Sequence, residues 1–252
     1  MKYFYKFSKW MLLLILLTEM SSCNETQLFE EEMYKNVLAL VSDDANIFAV
    51  VHDLDSTEST GYVAASVGGT NPTETDINVT LKQDRSLFDR YNKSNFDVDI
   101  EKFANLLAPA KYDIDNYNFT IPAGKRSGRV KIRIRPDGLS PDSVYFISLK
   151  VDRFSAYEAN PDKSDVLYRV LIKNKYATQE STTNYSLRGI IDGLEVPGVK
   201  PMHPISKNKV RIMAGNIPFP AGDVAGINRN AIVLEIGNDN RVHISSYKGM
   251  QV

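Results

Sequence analysis

Cysteine is nearly absent from this 252-residue sequence, which contains a single one. The chain can therefore form no intramolecular disulfide and no thiolate-rich metal site. Histidine is also scarce, and His52, His203 and His243 lack the spacing of metal ligands. We expect neither a metal nor a cofactor. An excess of charge of one sign is missing too, since 30 Lys and Arg residues balance 31 Asp and Glu residues, which argues against nucleic acid as a partner.

The apolar run near the N-terminus, residues 11–17, is short for a membrane-spanning helix, which needs about 20 residues. A start with three lysines precedes this run, and Ser21-Ser22-Cys23 follows it. The pattern is typical of a bacterial signal segment with a lipobox. It predicts a signal peptide over residues 1–22, lipidation of Cys23 and a polar lipidated tether over residues 23–44. The alternative is a cleaved secretory signal followed by an unmodified thiol.

From residue 47 onward, short segments with alternating apolar and polar residues are typical of half-buried β-strands. Val130, Ile132 and Ile134 are predicted to point inward, and Tyr145 and Tyr168 are also expected in the core. Strands are predicted over residues 47–51, 62–67, 76–81, 119–121, 129–135, 145–151 and 168–172. A different spacing predicts a short helix over residues 86–93, with Asp84 as a plausible N-cap, and a second helix over residues 100–107.

These segments indicate an all-β protein with two domains. Residues 45–176 are predicted to form an Ig-like β-sandwich with one or two short helices. Small and polar residues suggest a linker over residues 177–183. Residues 184–252 are predicted to form a second, incomplete antiparallel β domain. Its roughly four strands are few for a closed fold, so we expect a truncated domain, or one completed by another chain, with Ile232, Leu234 or Ile244 exposed.

The residues specify no reaction. Three tyrosines in or near predicted loops, Tyr112, Tyr117 and Tyr157, are candidate ligand-binding residues, because a tyrosine combines an apolar ring with a polar hydroxyl. The only tryptophan, Trp10, lies in the signal segment. Nearby carboxylates such as Asp97, Asp99 and Glu101 could form a glycosidase pair, although their separation cannot be derived from the sequence.

Four successive motifs carry a family resemblance. They are Asp76-Ile77-Asn78-Val79-Thr80-Leu81, then Asp84-Arg85-Ser86-Leu87 running to Tyr91-Asn92, then Phe119-Thr120-Ile121-Pro122-Ala123-Gly124, and finally Leu139-Ser140-Pro141 running to Tyr145 and Leu149. This succession resembles the N-terminal domain of unknown function in many Bacteroidetes surface lipoproteins. Residues 185–187, 205–211 and 231–234 are similar to the β domain that often follows it.

The resemblance implies an Ig-like sandwich in a lipoprotein encoded beside outer-membrane glycan importers. We therefore expect a non-catalytic outer-membrane lipoprotein, facing the cell exterior, that binds a glycan or assists in glycan utilisation. Its expected partners are a glycan, components of the importer and the membrane through the lipid anchor. Two alternatives remain open: a structural or adhesive module that binds protein, and a glycosidase that uses a pair of loop carboxylates.

Overall fold

The computed structural model describes residues 34–191 and 193–248. The predicted signal peptide, residues 1–22, and the predicted lipidation site, Cys23, lie outside the described residues. In the N-terminal part, the strands are β1 (Val37–Leu40), β2 (Ile47–Asp53), β3 (Ser59–Gly68), β4 (Ile77–Gln83), β5 (Asn105–Leu106), β6 (Tyr112–Asp113), β7 (Asn118–Ile121), β8 (Ser127–Ile134), β9 (Tyr145–Phe154), β10 (Glu158–Ala159) and β11 (Asp165–Lys173). One α-helix, α1 (Ser86–Phe96), follows β4.

These strands form two sheets that pack face to face as a sandwich. The first sheet has the order β10-β1-β3-β8-β6, and the second has the order β2-β11-β9-β4-β7 with β5 added beside β9. Val130, Ile132 and Ile134 are buried between the sheets, as predicted, and Tyr168 is fully buried. Tyr145 is half-buried against the same core. The predicted all-β sandwich is confirmed.

The C-terminal part forms a third sheet. Its strands are β12 (Thr183–Leu187), β15 (Gly198–Ser206), β16 (Lys209–Met213), β17 (Ala231–Ile236) and β18 (Val242–Ser246), in that spatial order. A small hairpin, β13 (Ile190–Ile191) and β14 (Leu194–Glu195), projects between β12 and β15, and a second helix, α2 (Val224–Asn230), precedes β17. Met213, Ile227, Ala231, Val233 and Tyr247 form the core on one face of this sheet.

The opposite face of β17 and β18 is apolar and partly exposed. Leu234 pairs with Ile244, and Ile236 pairs with Val242, so these side chains lie on one face. Ile244 is 50% exposed and Val242 is 52% exposed. The predicted exposure of Ile244 on an incompletely covered sheet is therefore observed within the described residues.

The first predicted helix is present and three residues longer than expected, since it runs to Phe96. The N-cap position is occupied by Arg85 and not by the predicted Asp84, which lies one residue earlier and accepts a hydrogen bond from the backbone N–H of Ser86 at 2.9 Å. The helix predicted over residues 100–107 was wrong. Only Ile100–Lys102 forms a 3₁₀ turn, and β5 follows. The Asn92 side chain bonds both backbone groups of Ala104, which takes that residue out of a helical hydrogen-bonding pattern.

Two other segments differ from the sequence-based expectation. Residues 37–40, predicted as part of the tether, form β1, because Leu38 and Leu40 are apolar at alternate positions and are buried in the sandwich. The predicted linker, residues 177–183, is packed against β11. Ala177 is buried, Thr178 bridges Lys173, and the backbone N–H of Gln179 bonds the Ile172 carbonyl at 2.9 Å.

Candidate functional site

The structure brings two of the three predicted tyrosines together. Gln83, at the end of β4, donates from Nε2 to the Tyr112 hydroxyl at 2.9 Å and to the Tyr117 hydroxyl at 2.7 Å. Burial raises the pKa of Tyr112, and the neighbouring Tyr117 raises it further. Both rings pack partly buried against the sandwich core. This arrangement occupies Gln83 with intramolecular bonds and leaves little of either ring as an open stacking platform.

The third predicted tyrosine, Tyr157, lies apart in the turn between β9 and β10. Its φ is 68°, in the left-handed region that is uncommon for a residue with a side chain, and the residue is 40% exposed. The candidate carboxylates Asp97, Asp99 and Glu101 follow α1 near the surface, where Asp99 pairs with Lys102 at 2.7 Å. Tyr157 and the three carboxylates therefore do not form one site in the described structure.

A concave site lies between the N-terminal sandwich and the C-terminal sheet. This interdomain crevice has a volume of about 410 Å³. One wall comes from the loop before β9, another from residues 178–182, and the third from β15 and the segment around α2. Ligand sites commonly occupy crevices of this size at domain interfaces.

A buried ion pair holds one end of the crevice. Arg211 of β16 is only 1% exposed, and its guanidinium binds the Asp142 carboxylate with two hydrogen bonds of 2.5 Å and 2.7 Å. The guanidinium also lies 5.0 Å from the centre of the Tyr247 ring and 6.0 Å from that of Phe219. Although burial disfavours the charge of Arg211, Asp142 and Tyr247 raise its pKa. The pair joins the two domains and fixes the separation of the walls at this end.

His203 supplies a polar atom without a partner. Its backbone lies opposite Arg211 in the β15–β16 pair, and its ring packs 4.4 Å from that of Phe219. The Nε2 atom is buried and has no hydrogen-bond partner among residues 34–191 and 193–248. Burial, with a contribution from the Arg211 charge, lowers the pKa of His203 to about 4, so the ring is neutral at pH 7. A neutral imidazole nitrogen can accept or donate one hydrogen bond according to its tautomer.

The segment predicted as a linker forms the polar rim of the crevice. Gln179 fixes it, because Nε2 donates to the Pro141 carbonyl at 2.8 Å while Oε1 accepts from the Ile172 N–H at 2.9 Å. The side chains of Glu180, Ser181 and Thr182 follow, and all three residues are exposed. The opposite wall is largely apolar and includes Phe219, Val224 and Ile227. The crevice thus combines a carbon-rich wall with a row of hydroxyl and carboxylate groups.

Sequence reasoning missed this site. The sequence identifies His203 only as a histidine without the spacing of a metal ligand, and no pattern marks Phe219. The one usable signal was the run of hydroxyl residues in 177–183, which instead suggested a linker. Asp142 and Arg211 are separated by 69 positions in the chain, and no local pattern indicates that they pair.

Two further properties concern only the part of the chain that the structure describes. It contains no group of three or more His, Cys, Asp or Glu side chains placed to hold a metal ion. It also contains no helix with the length and hydropathy needed to cross a membrane.

Comparison with known proteins covers both parts of the chain. One family model, for an N-terminal domain, matches residues 29–158, and another, for a C-terminal domain, matches residues 164–252. No curated protein matches the sequence.

Solved structures from Bacteroides share the fold. A protein of unknown function from Bacteroides ovatus is 15% identical with a TM-score of 0.65, and the match covers 83% of this chain and 72% of that one. A multidomain protein including DUF1735, also from Bacteroides ovatus, is 14% identical with a TM-score of 0.64 over 83% and 71% of the two chains. An auxiliary nutrient binding protein from Bacteroides thetaiotaomicron is 14% identical with a TM-score of 0.59 over 81% and 71%.

The family models together match most of the chain, and the similar structures place the same fold in Bacteroides. The resemblance found in the sequence motifs is confirmed. The chain belongs to the Bacteroidetes family of two-domain proteins in which this N-terminal β-sandwich domain is followed by this C-terminal β domain.

Proposed function

We propose that this protein is a non-catalytic surface lipoprotein that binds a carbohydrate in the interdomain crevice and serves a glycan-utilisation system. The observation that carries the proposal is the lining of the crevice, which combines the Phe219 ring and other apolar side chains with the exposed hydroxyl residues Ser181 and Thr182. A sugar ring presents an apolar C–H face and several hydroxyls, which matches a site with an apolar wall and a few convergent polar groups.

The charges in the crevice favour a neutral sugar over an acidic one. The Asp142 carboxylate is neutralised by Arg211, whereas Glu180 on the rim is exposed and adds a negative charge. A uronic or sulfated sugar would be repelled by that carboxylate. A nutrient-binding role also agrees with the name of the similar protein from Bacteroides thetaiotaomicron.

A polysaccharide array with detection of new reducing ends tests the function. Retention of a neutral glycan without cleavage supports the proposal. New reducing ends would instead support the glycosidase alternative. Retention of none of the glycans, together with capture of a protein, would favour the structural or adhesive module. The exposed apolar face of β17 and β18 is the observation that supports this alternative.

A pair of matched variants locates the binding site. Phe219→Ala removes the aromatic ring from the apolar wall, so we expect about tenfold weaker glycan binding from the lost ring contact. Tyr62→Ala, which removes a partly exposed aromatic ring from β3 outside the crevice, serves as the control and should bind as the wild type does. Calorimetric titration of both variants, after their unfolding midpoints have been compared, gives the result. Equal affinities would place the glycan elsewhere.

We also propose the location that the N-terminal motif predicts: the outer membrane, with a lipid anchor on Cys23 and the protein facing the exterior, near the importer components. Mass spectrometry of the membrane fraction should show an acylated Cys23 and loss of residues 1–22, and Cys23→Ser should release the protein. An unmodified thiol in a soluble periplasmic pool would contradict the anchor. Protease treatment of intact cells tests the exterior orientation.

A further inference from the structure

The outer side of the first sheet, which points away from the sandwich core, carries an unbalanced positive charge at β8. The outward positions of this strand are Arg129, Lys131 and Arg133, which alternate with buried residues. Asp115 and Glu58 form ion pairs with Arg133. Arg129 and Lys131 are exposed and form no ion pair within residues 34–191 and 193–248. This part of the surface therefore attracts an acidic group.

A shallow floor of small side chains lies beside these cations. Ala39 of β1 is paired with Ser66 of β3, and both point to the outer side of the sheet. Ala64 of β3 is paired with Arg129. At the far end, the Tyr62 ring is 37% exposed and its centre lies 4.1 Å from the Arg129 guanidinium. An extended segment can lie on this floor with its side chains over the cations of β8.

The chain enters the sandwich at the open end of this floor. The backbone N–H of Tyr34, the first described residue, donates to the Thr70 hydroxyl at 2.9 Å, and the Thr70 N–H donates to the Tyr34 carbonyl at 3.1 Å. The Arg126 guanidinium donates to the carbonyls of Gly69 and Thr70 at 2.8 Å and 3.1 Å. An exposed cation therefore lies where the residues before Tyr34 approach the domain.

The residues that precede this entry point are acidic. Residues 30–32, which lie outside the described part of the chain, are three consecutive glutamates, and we call them the acidic segment. An extended chain advances about 3.3 Å per residue, so Glu32 is about 7 Å and Glu30 about 13 Å from the entry point. These lengths allow Glu32 to reach Arg126 and Glu30 to reach Arg129. The family model of the N-terminal domain begins at residue 29 and thus includes the acidic segment.

We propose that the acidic segment docks on the outer side of the first sheet, with Glu32 beside Arg126 and Glu30 beside Arg129. Single exposed ion pairs are weak. Here the segment is held by its covalent link at Tyr34, so its effective concentration at the basic surface is high. The occupant of this surface is the protein's own chain.

Docking shortens the link between the sandwich and the predicted lipid anchor. Only five residues, 24–28, then separate Cys23 from the docked part, and they span at most about 20 Å. The first sheet is thereby held close to the membrane. This consequence rests on the proposed anchor, whereas the docking itself requires no lipid and is tested without one.

Zero-length coupling by a carbodiimide tests the contact, because the reagent joins a carboxylate only to an amine that touches it. Arg129→Lys keeps the charge in the full chain and supplies that amine. We expect mass spectrometry to find residue 129 joined to the acidic segment, and the yield to fall in 1 M salt, which screens exposed charges. Arg153→Lys, at an exposed position of β9 in the second sheet, is the matched control. A yield at residue 129 no greater than at residue 153 would overturn the proposal.

Dextran sulfate tests whether the surface is instead a site for an external polyanion. The double variant Glu30→Gln/Glu32→Gln removes the internal competitor, so we expect about fivefold tighter binding of dextran sulfate than in the wild type. Asp97→Asn/Glu101→Gln, which changes the net charge equally at exposed positions after α1, should bind less than twofold tighter. Equal affinities of the wild type and of Glu30→Gln/Glu32→Gln would overturn the docking and would leave the surface open to external polyanions.

Discussion

At the scale of single residues, His52 shows how the sandwich core tolerates a polar ring. The side chain is completely buried; its Nδ1 atom lies 3.0 Å from the Ser59 hydroxyl and its Nε2 atom 2.9 Å from the Tyr168 hydroxyl. Both ring nitrogens are thus satisfied without a charge. Burial lowers the pKa of His52 to about 4, because the imidazolium would lose its hydration.

This shift predicts a specific dependence of stability on pH. The unfolded chain binds a proton at His52 near pH 6.5, whereas the folded chain binds it only near pH 4. The free energy of unfolding should therefore be unaffected by His52 above pH 6.5 and should fall by about 1.4 kcal/mol per pH unit between pH 6.5 and 4. In His52→Gln, the slope of the unfolding free energy against pH, obtained from denaturant unfolding at several pH values, should be smaller by that amount.

The control for this prediction is His243→Gln, because His243 is exposed on β18. Its slope should match that of the wild type. An unchanged slope in His52→Gln would show that His52 does not resist protonation in the folded state. Slopes are compared rather than absolute stabilities, since removal of the hydrogen bonds to Ser59 and Tyr168 also destabilises the variant.

At the scale of elements, the burial of a strand depends more on its position in the sheet than on its sequence. β9 and β18 both alternate in sequence, yet β9 lies between two neighbours and buries Phe146 and Leu149, whereas β18 lies at the edge. β18 pairs only with β17 in the described structure and exposes Val242 and Ile244 by about half. Edge strands with few buried contacts open at low free-energy cost.

We therefore expect uneven hydrogen exchange across the molecule. Amides of β18 that bond to β17 should exchange faster than those of the central strand β16 in the same sheet, and much faster than those of β9. Exchange mass spectrometry or NMR of the intact protein measures this order. Protection of β18 equal to that of β16 in dilute solution would contradict the exposed edge and would show that another surface covers it.

At the scale of the whole molecule, the two domains are joined by buried polar contacts rather than by a flexible connection. Asn174 donates from Nδ2 to the Ser206 carbonyl at 2.7 Å and to the Lys209 carbonyl at 2.9 Å. The Arg211–Asp142 pair adds a second connection within the buried interface. Because these groups are buried, the removal of one partner leaves the other without compensation.

Asp142→Ala tests this coupling. The variant leaves the Arg211 guanidinium buried and unpaired, so we expect the free energy of unfolding to fall by about 3–5 kcal/mol. Asp152→Ala, which breaks the exposed pair between Lys82 and Asp152, should cost less than about 1 kcal/mol. Denaturant unfolding of both variants provides the comparison. A loss for Asp142→Ala as small as that of the control would show that the pair does not hold the domains together.

The sequence by itself determined the local features of this protein. Alternation places Val130, Ile132 and Ile134 on one face of a strand wherever that strand lies, and the spacing of Leu87, Phe88 and Tyr91 indicates a helix. These features depend on neighbours within a few positions, so a single segment carries their signal. The family motifs lie in such segments and were recognised for the same reason.

Only the tertiary structure determined which residues come together in the candidate sites. The helix predicted over residues 100–107 became β5 because Asn92 and β9 bind that backbone, and the predicted linker became the rim of a crevice because Gln179 binds both Pro141 and Ile172. The surroundings of His203 Nε2, which has no hydrogen-bond partner among the described residues, likewise come from residues distant in sequence. Hydrogen bonding and desolvation act between atoms that folding brings together, and a local pattern contains no record of those distances.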